Sequence, residues 1–487
     1  MNADELHAAL CRFEAVSPTT GNRISDERPI PFNLMFQTTV GPSKSAPAFM
    51  RPETAQGIFV NFEDLLYYNG NKLPLGVAQV GTAYRNEISP RAGLLRVREF
   101  TLAEIEYFVD GETSNGNPRF ADVADLTLRL RPRKNADTNA RKEIETPLVD
   151  ALEKNGNGII TNETLAYFMG RTWLFLTAVA GIDPKRLRFR QHSEDEMAHY
   201  ANDCWDAEVF TSSHGWIECV GLADRSAYDL TAHGRATGAD LSAFVPYPEL
   251  RSESRITVRA NRKALGPRFK RDAEKVAKHL EQLSEIDAKD FKRNLSDHGY
   301  ASVHVKEECM GEVEVTADMA EVKEGQVKVT GRNIIPGVIE PSFGINRIMY
   351  CLLEHAYFER QTENEENKED KASSAVTRSV LRLPPRLAPV HVGVFPLITK
   401  DERQKELARR LSDMLTDADI SNVIDTTGAS IGKRYARTDE IGIPFALTVD
   451  SADPTYETIT LRYRDTMAQI RISVCSVVDT LREKISE

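Results

Sequence analysis

Apolar and polar positions change rhythm four times along this chain. From about Phe32 to Asp110 they alternate in short stretches, which predicts strands and loops. Near the end of that stretch Leu94, Leu95 and Val97 lead into Phe100 to Phe108, where apolar and polar residues partly alternate, as on a strand with two unlike faces. From Asn162 to about Val179 the apolar stretch holding Leu165, Phe168, Trp173, Leu174 and Leu176 predicts a helix, which Gly181-Ile182-Asp183-Pro184 ends. From Thr231 to Thr330 charge dominates. A basic run within 251–271 (Arg255, Arg259, Arg262, Lys263, Arg268, Lys270, Arg271) precedes a Lys/Glu-rich helical pattern. Such a run is either a solvated face or a contact with the phosphates of an RNA partner, and both readings stand.

Gln361 to Lys371 is entirely polar and charged, and Pro384-Pro385 follows, as at an exposed loop near a domain boundary. Beyond Leu387 the rhythm becomes that of a small α/β unit. Val390 to Phe395 predicts a strand, Asp401 to Asp417 a helix, and Ile420 to Ile424, Phe445 to Val449 and Thr458 to Tyr463 three more strands. A last helix is expected from Thr466 onward. No internal repeat is visible.

Composition narrows the class. The chain has 487 residues, 41% hydrophobic and 28% charged, which suits several domains with substantial cores. No apolar run is long enough to cross a bilayer, and Met1-Asn2-Ala3-Asp4-Glu5 resembles neither a signal nor a transit peptide. Six scattered cysteines (Cys11, Cys204, Cys219, Cys309, Cys351, Cys475) without a C-x-x-C pair argue against a disulfide framework or a structural zinc site. They suit a reducing, cytoplasmic setting. A net charge of −11 disfavours a general polyanion binder, so any nucleic-acid contact has to be local.

The strongest local signal is Tyr84-Arg85-Asn86-Glu87, a loop Ile88-Ser89-Pro90-Arg91-Ala92-Gly93, and Arg96-Val97-Arg98-Glu99-Phe100. If both flanks are strands, Arg85 and Glu87 share one face, as do Arg98, Phe100, Leu102 and Glu104. Guanidinium, carboxylate and ring around one small volume suit a nucleotide: the cation on phosphate, the ring on the base, the carboxylate accepting from an amino group. The competing reading is a surface hairpin laced with weak ion pairs.

That string resembles motif 2 of class II aminoacyl-tRNA synthetases in its glycyl version. The resemblance is carried further by Arg51-Pro52-Glu53-Thr54-Ala55-Gln56-Gly57, Phe189-Arg190-Gln191-His192, Glu196-Met197-Ala198-His199-Tyr200, Asp203-Cys204-Trp205-Asp206, Gly215-Trp216-Ile217-Glu218, Ala223-Asp224-Arg225 and Glu340-Pro341-Ser342-Phe343-Gly344. It covers nearly the whole chain. The resemblance implies an α/β (α+β) fold with the antiparallel-sheet catalytic core of class II, its insertions, and a C-terminal α/β anticodon-binding domain. Residues 1–31 would be the remnant of an insertion, and 32–230 the core with motif 2. Residues 231–330 would be an insertion domain, 331–386 the core with motif 3, and 387–487 the anticodon-binding domain. Motif 1 is expected upstream of all these motifs and is not found, which leaves dimerisation and activity of this chain open. Asn346 stands where the family more often has glycine.

The resemblance implies ligation of glycine to tRNA(Gly) through glycyl-adenylate, with ATP and Mg²⁺, in a cytoplasmic homodimer, a mitochondrial form remaining open. The alternative is a non-catalytic RNA-binding or accessory paralogue on the same scaffold. Arg85 would hold the ATP α-phosphate where charge builds up, and Arg347 would cover the adenine from motif 3; these two are the expected catalytic residues. Asn86, Glu87, Arg96, Val97, Phe100, Glu218 and Cys219 complete the expected ATP site. Glu87 would meet the adenine amino group, Phe100 would stack on the base, and Glu218 would lie by Mg²⁺. Glu53, Glu104, Glu340, Pro341 and Ser342 would form the glycine pocket. Glycine offers no side chain to grip, so carboxylates crowded around its ammonium, with no room for a Cβ, would select it. A merely pliable apolar pocket rejects a methyl group by only about 1–3 kcal/mol. No Ser, His or Cys nucleophile is expected, and His192 and His199 read as hydrogen-bonded structural residues. In Ser430 to Gly442, Lys433, Arg434 and Arg437 supply cations and Tyr435 a stacking ring for tRNA.

Overall fold

The structure is a computed structural model. It describes every residue except 1, 25–27, 31, 43–45, 112–115, 134–141, 153–157, 306–310, 363–375, 452–454 and 487, and describes only the backbone at 253, 255, 285, 286, 305, 327 and 376. Most of the polar run ending at Lys371 therefore lies outside the described residues, as do Cys309 and the side chain of Arg255.

Backbone contacts divide the chain into two compact units. The larger comprises Met1–Gly70, Pro74–Leu241 and Pro336–Glu487. Its centre is an eight-stranded sheet. In chain order the strands are β1 (Leu75–Tyr84), β2 (Glu99–Val109), β3 (Thr127–Arg131), β4 (Ile144–Pro147), β5 (Leu187–Gln191), β6 (Asp203–Thr211), β7 (Gly215–Ser226) and β8 (Gly337–Gly344). Their spatial order is β1-β2-β8-β7-β6-β5-β3-β4, antiparallel throughout except for the β3–β5 pair. The late strand β8 enters between β2 and β7, pairing Ser342 with Glu104 on one side and Gly221 on the other. This insertion brings segments remote in sequence onto one surface.

Period-two geometry gives the central strands two unlike faces. On one face Tyr107, Ile339, Phe343, Val220 and Leu222 pack into the main core, whose helical layer is α2 (Glu163–Leu174) and α4 (Ile345–Ala356). Asn162 caps α2, its side-chain oxygen accepting from the Leu165 N–H at 2.7 Å. The expected helix is thus present, with its final stretch, Phe175–Val179, wound as a π-helix. Gly181, at φ +73°, then turns the chain, and a Cβ there would lie 2.6 Å from Pro384 Cγ. On the other face Leu102, Glu104, Glu106 and Phe108 alternate with the core-facing set. Phe108 is packed by Phe59 of α1 (Ala55–Val60) and by Phe62. That short helix, and Phe62–Tyr68 after it, form where strands and loops were expected.

In the C-terminal part a five-stranded sheet runs β10-β9-β11-β12-β13, from β9 (Val392–Pro396), β10 (Asn422–Ile424), β11 (Phe445–Val449), β12 (Thr458–Tyr463) and β13 (Gln469–Ser473). Its core joins Val392, Val394, Leu447, Val449 and Leu461 to Leu407, Leu411 and Leu415 of α5 (Glu402–Asp417), and to Val477 and Leu481 of α7 (Val477–Ser486). The expected last helix therefore starts later than Thr466. Residues 469–473 pair with β12 as a hairpin strand, because Ile470 and Ile472 alternate with polar residues.

The second unit (Asn71–Leu73 with Ser242–Ile335) is a long antiparallel ribbon, Ala243–Ala260 against Ala320–Ile334. It also holds a hairpin, Tyr300–Val305 with Gly311–Thr316, and three helices around Leu265, Val276, Leu280, Phe291 and Val315.

Gly170 tests the packing of α2. A Cβ there would lie 2.7 Å from Val123 Cβ and 2.9 Å from Leu148 Cδ1. Gly170→Ala should destabilise the protein by about 1–3 kcal/mol despite alanine's better helix propensity, read as a lower thermal midpoint.

Candidate active site

One cleft in the larger unit gathers most of the residues singled out from the sequence. Its lining includes Arg85, Glu87, Arg96, Val97, Phe100, Glu218, Cys219 and Arg347 at one end and Glu53, Glu104, Glu340 and Ser342 at the other. Two expected residues do not line it. Asn86 turns away, its N–H and side chain bonding the carbonyls of Leu34 and Asn33. Pro341 alternates to the opposite face between Glu340 and Ser342.

At the first end, β1 delivers Arg85 and β2 delivers Phe100. The hairpin closes through the Arg85 N–H, which donates to the Arg98 carbonyl at 3.0 Å. The Arg85 guanidinium carbon lies 5.3 Å from the Phe100 ring centroid. Among the described residues its Nε makes one long contact, 3.4 Å, to the Pro52 carbonyl, and the side chain lines the cleft. Arg347 projects from α4 and is held by the carbonyls of Leu95 (3.2 Å) and Glu218 (3.0 Å), with the Glu218 carboxylate 3.4 Å away. Asn346 has a positional use: its side-chain oxygen accepts from the Thr101 N–H at 2.8 Å, tying α4 to β2. Two guanidinium groups, a ring and a half-exposed carboxylate make this end suited to a nucleotide anion.

The other end is a nest of buried carboxylates. Glu104 accepts from the Thr54 N–H (2.6 Å), the Thr54 hydroxyl, the Ala55 N–H (3.0 Å) and the Ser342 hydroxyl (2.9 Å). Glu340 accepts from Arg225 Nη1 at 2.8 Å, while the Nε and Nη2 of Arg225 grip Asp229 on α3 (Tyr228–Thr237), each at 2.8 Å. The ring of Tyr200 lies 4.0 Å from the Arg225 guanidinium carbon. Glu53 is steadied by Gln56 at 2.9 Å. Burial pushes the Glu340 carboxyl up to about 7, against the lowering pull of Arg225. This end can take a small cation that brings its own hydrogen-bond donors.

Arg225, Asp229, Tyr200 and Thr54 received no role from the sequence. Arg225 stood inside a recognised string, but its partners lie on α3 and β8, which only the sheet order brings together.

The side wall holds His192, Cys204 and Asp206, whose ligand atoms lie within 4.8 Å of one another. Asp206 is already shared between Arg190 (2.6 Å) and His192 (2.8 Å), the latter bond raising the His192 pKa. Burial pushes the Cys204 thiol up and keeps it protonated. The trio reads as a braced wall. His199 Nε2 is 3.0 Å from the Tyr228 hydroxyl.

In the C-terminal domain α6 (Ile431–Glu440) separates its cations. Lys433 and Arg437 are exposed. Arg434, expected to face tRNA, is buried and donates to the carbonyls of Pro396 (2.8 Å), Leu397 (3.1 Å) and Asp425 (3.2 Å). Tyr435 is half-buried, its hydroxyl 2.5 Å from Thr448 Oγ1, with Phe395 edge-on and Arg462 over its ring. Lys433 and Arg437, four residues apart, share the outward face of the helix, while Arg434 and Tyr435 turn inward and are committed to the fold. In the second unit Arg262 of the basic run is tied to Glu274 and Glu281, and Arg268 lies 3.6 Å from Glu314.

A family model described as "tRNA synthetase class II core domain (G, H, P, S and T)" matches residues 43–126, and one described as "Anticodon binding domain" matches 391–484. A glycine--tRNA ligase of Bombyx mori is 45% identical over 99% of this chain and 62% of its own length. Proteins of the same name from Methanothrix thermoacetophila and Methanocaldococcus jannaschii are 43% and 42% identical, and the chain spans 78% and 80% of their lengths. A solved prolyl-tRNA synthetase from Cryptosporidium parvum with L-proline and AMP aligns over 93% of this chain and 62% of its own, at 12% identity and a TM-score of 0.48.

Arg434→Ala should lower the thermal midpoint, costing about 2–4 kcal/mol by stranding three buried carbonyls, whereas Lys433→Ala should leave the melt unchanged.

Proposed function

This chain belongs to the glycine--tRNA ligase family of class II tRNA synthetases, and on that premise we propose that it ligates glycine to tRNA(Gly), activating the amino acid with ATP as glycyl-adenylate. The observation that carries the reading is the two-ended cleft, with guanidinium groups and a ring at one end and carboxylates at the other. In this reading glycine's carboxylate points from the acidic end toward the ATP α-phosphate and attacks it in line, breaking the bond to the β-phosphate and releasing pyrophosphate. The protein contributes position and charge rather than a nucleophile.

Arg85 offers its donors where negative charge grows on the α-phosphate, and Phe100 and Arg347 enclose the adenine. Glu87, Arg96, Val97 and Cys219 bound the remainder of the nucleotide. Glu218 is the cleft carboxylate that fits Mg²⁺, since this ion typically takes one or two carboxylates plus substrate phosphates. When bound, the ion would neutralise phosphate charge. Glu340, Glu104 and Glu53 receive the ammonium, and Ser342 orients Glu104. Because Arg225 and Thr54 lock two of these carboxylates, a Cβ on the substrate would have to displace a charged group from its donors.

Lys433 and Arg437 are the α6 cations we assign to tRNA contact. A homodimer is part of the proposal, supported by Val80, 71% exposed on the sheet-edge strand β1, with Tyr67 and Tyr68 exposed in the helix just before it. So is a cytoplasmic setting, supported by the unpaired cysteines.

Glycine-dependent ATP–pyrophosphate exchange tests the activity. A folded protein with no exchange but retained tRNA binding would favour the non-catalytic RNA-binding reading. Arg85→Ala should lower the exchange rate by about 10²–10³-fold while tRNA binding persists; equal loss of both would contradict its role. Glu340→Gln should raise the glycine KM while leaving the ATP KM near its starting value.

A further inference from the structure

Glu106 lies two residues beyond Glu104 on β2, so its carboxyl turns to the same face of the sheet, behind the cleft rather than in its lining. Its side chain is fully buried, and among the described residues neither carboxyl oxygen meets a hydrogen-bond donor. The titratable and charged groups around it come from every neighbouring element. Those acting on it are Glu340 on β8, Arg225 on β7, Glu104 on β2 and Asp229 on α3; Glu53 before α1 and Tyr200 in the loop between β5 and β6 act on Glu340 or Arg225, and His233 on α3 bonds Gln56.

The donors are unevenly shared. Glu104 has backbone and hydroxyl donors, and Arg225 serves Glu340 and Asp229. Nothing comparable reaches Glu106. An ionised carboxylate without donors in a buried site is costly enough that the group takes a proton instead. Burial first, then repulsion from Glu340, drive Glu106 well above the ordinary carboxyl range. Glu340 has Arg225 to ionise against and Glu106 has no such donor, so of the two it is Glu106 that holds a proton more firmly.

Resting on the activity proposed above, we propose that Glu106 stands as a neutral carboxylic acid behind the glycine pocket and releases its proton to solvent when the substrate's ammonium arrives. The Glu106 O–H bond breaks, its electron pair stays on the carboxylate, and the ammonium keeps its three hydrogens. Uptake thus exchanges a proton for the substrate's charge. The free protein avoids one more uncompensated anion, and its full negative field appears only when an amine is present. Glu106 is a positioning residue here, acting through the field at Glu340 rather than by touching substrate.

The sign follows from linkage. Binding that expels a proton strengthens as pH rises, by up to about tenfold per pH unit below the Glu106 pKa in the free protein, and levels off above it. Glycine is titrated into the full chain with α,β-methylene ATP present, so that no adenylate forms, in buffers of different ionisation enthalpy near neutral pH. The expected result is release of up to one proton per glycine, with loss of a protonated-carboxyl band in the infrared difference spectrum. Glycolate, which lacks the ammonium, should cause neither. In Glu106→Gln the release and the pH slope of the glycine KM should both vanish, while exchange activity at low pH persists. Binding of glycine with no proton released and no band lost overturns the inference alone, as does a Glu106→Gln protein that keeps the wild-type slope. Should that variant not fold, the wild-type infrared band decides. Absence of any glycine binding overturns the proposed activity and this inference with it.

Discussion

A single buried guanidinium holds the acidic end of this protein together. Arg225 on β7 grips Asp229 at the start of α3 and, 115 residues away in sequence, Glu340 on β8. Removing one partner from such a buried group typically costs about 3–5 kcal/mol, because the remaining charges lose compensation rather than merely a contact. The carboxylates are therefore held at fixed positions on a rigid sheet. A site that must recognise a ligand with almost no shape depends on that rigidity.

The same sheet separates stability from chemistry by its pleat. Tyr107, Ile339, Phe343 and Val220 point into the apolar core, while their neighbours Glu106, Glu340, Ser342 and Gly221 face or lie behind the cleft. Substitutions on one face act on folding, and substitutions on the other act on charge. Glu106 belongs to both classes, being as buried as a core residue and chemically part of the site.

How far this was legible in the sequence depends on the range of the physics involved. The stretch from Phe100 to Glu104 could be read locally, since spacing sets which side chains share a strand face, whereas β1 ends at Tyr84 and Arg85 to Glu87 lie just beyond it. The π-helical end of α2 depended on the packing around it, whereas the late start of α7 follows the local alternation of Ile470 and Ile472, which pairs 469–473 with β12. The cations of α6 show the boundary well: helical spacing made Lys433, Arg434 and Arg437 equivalent by composition, yet Arg434 is sealed under the carbonyls of Pro396, Leu397 and Asp425.

By itself, then, the amino-acid order determined the strand and helix periods, the family motifs and the types of side chain available to bind a nucleotide and an ammonium. Tertiary structure alone decided that β8 lies between β2 and β7, that Arg225 is shared by Asp229 and Glu340, and that Glu106 meets no donor among the described residues. The reason is physical. Periodicity is a short-range property of the backbone, whereas desolvation and charge pairing depend on which distant segments become neighbours when the sheet closes.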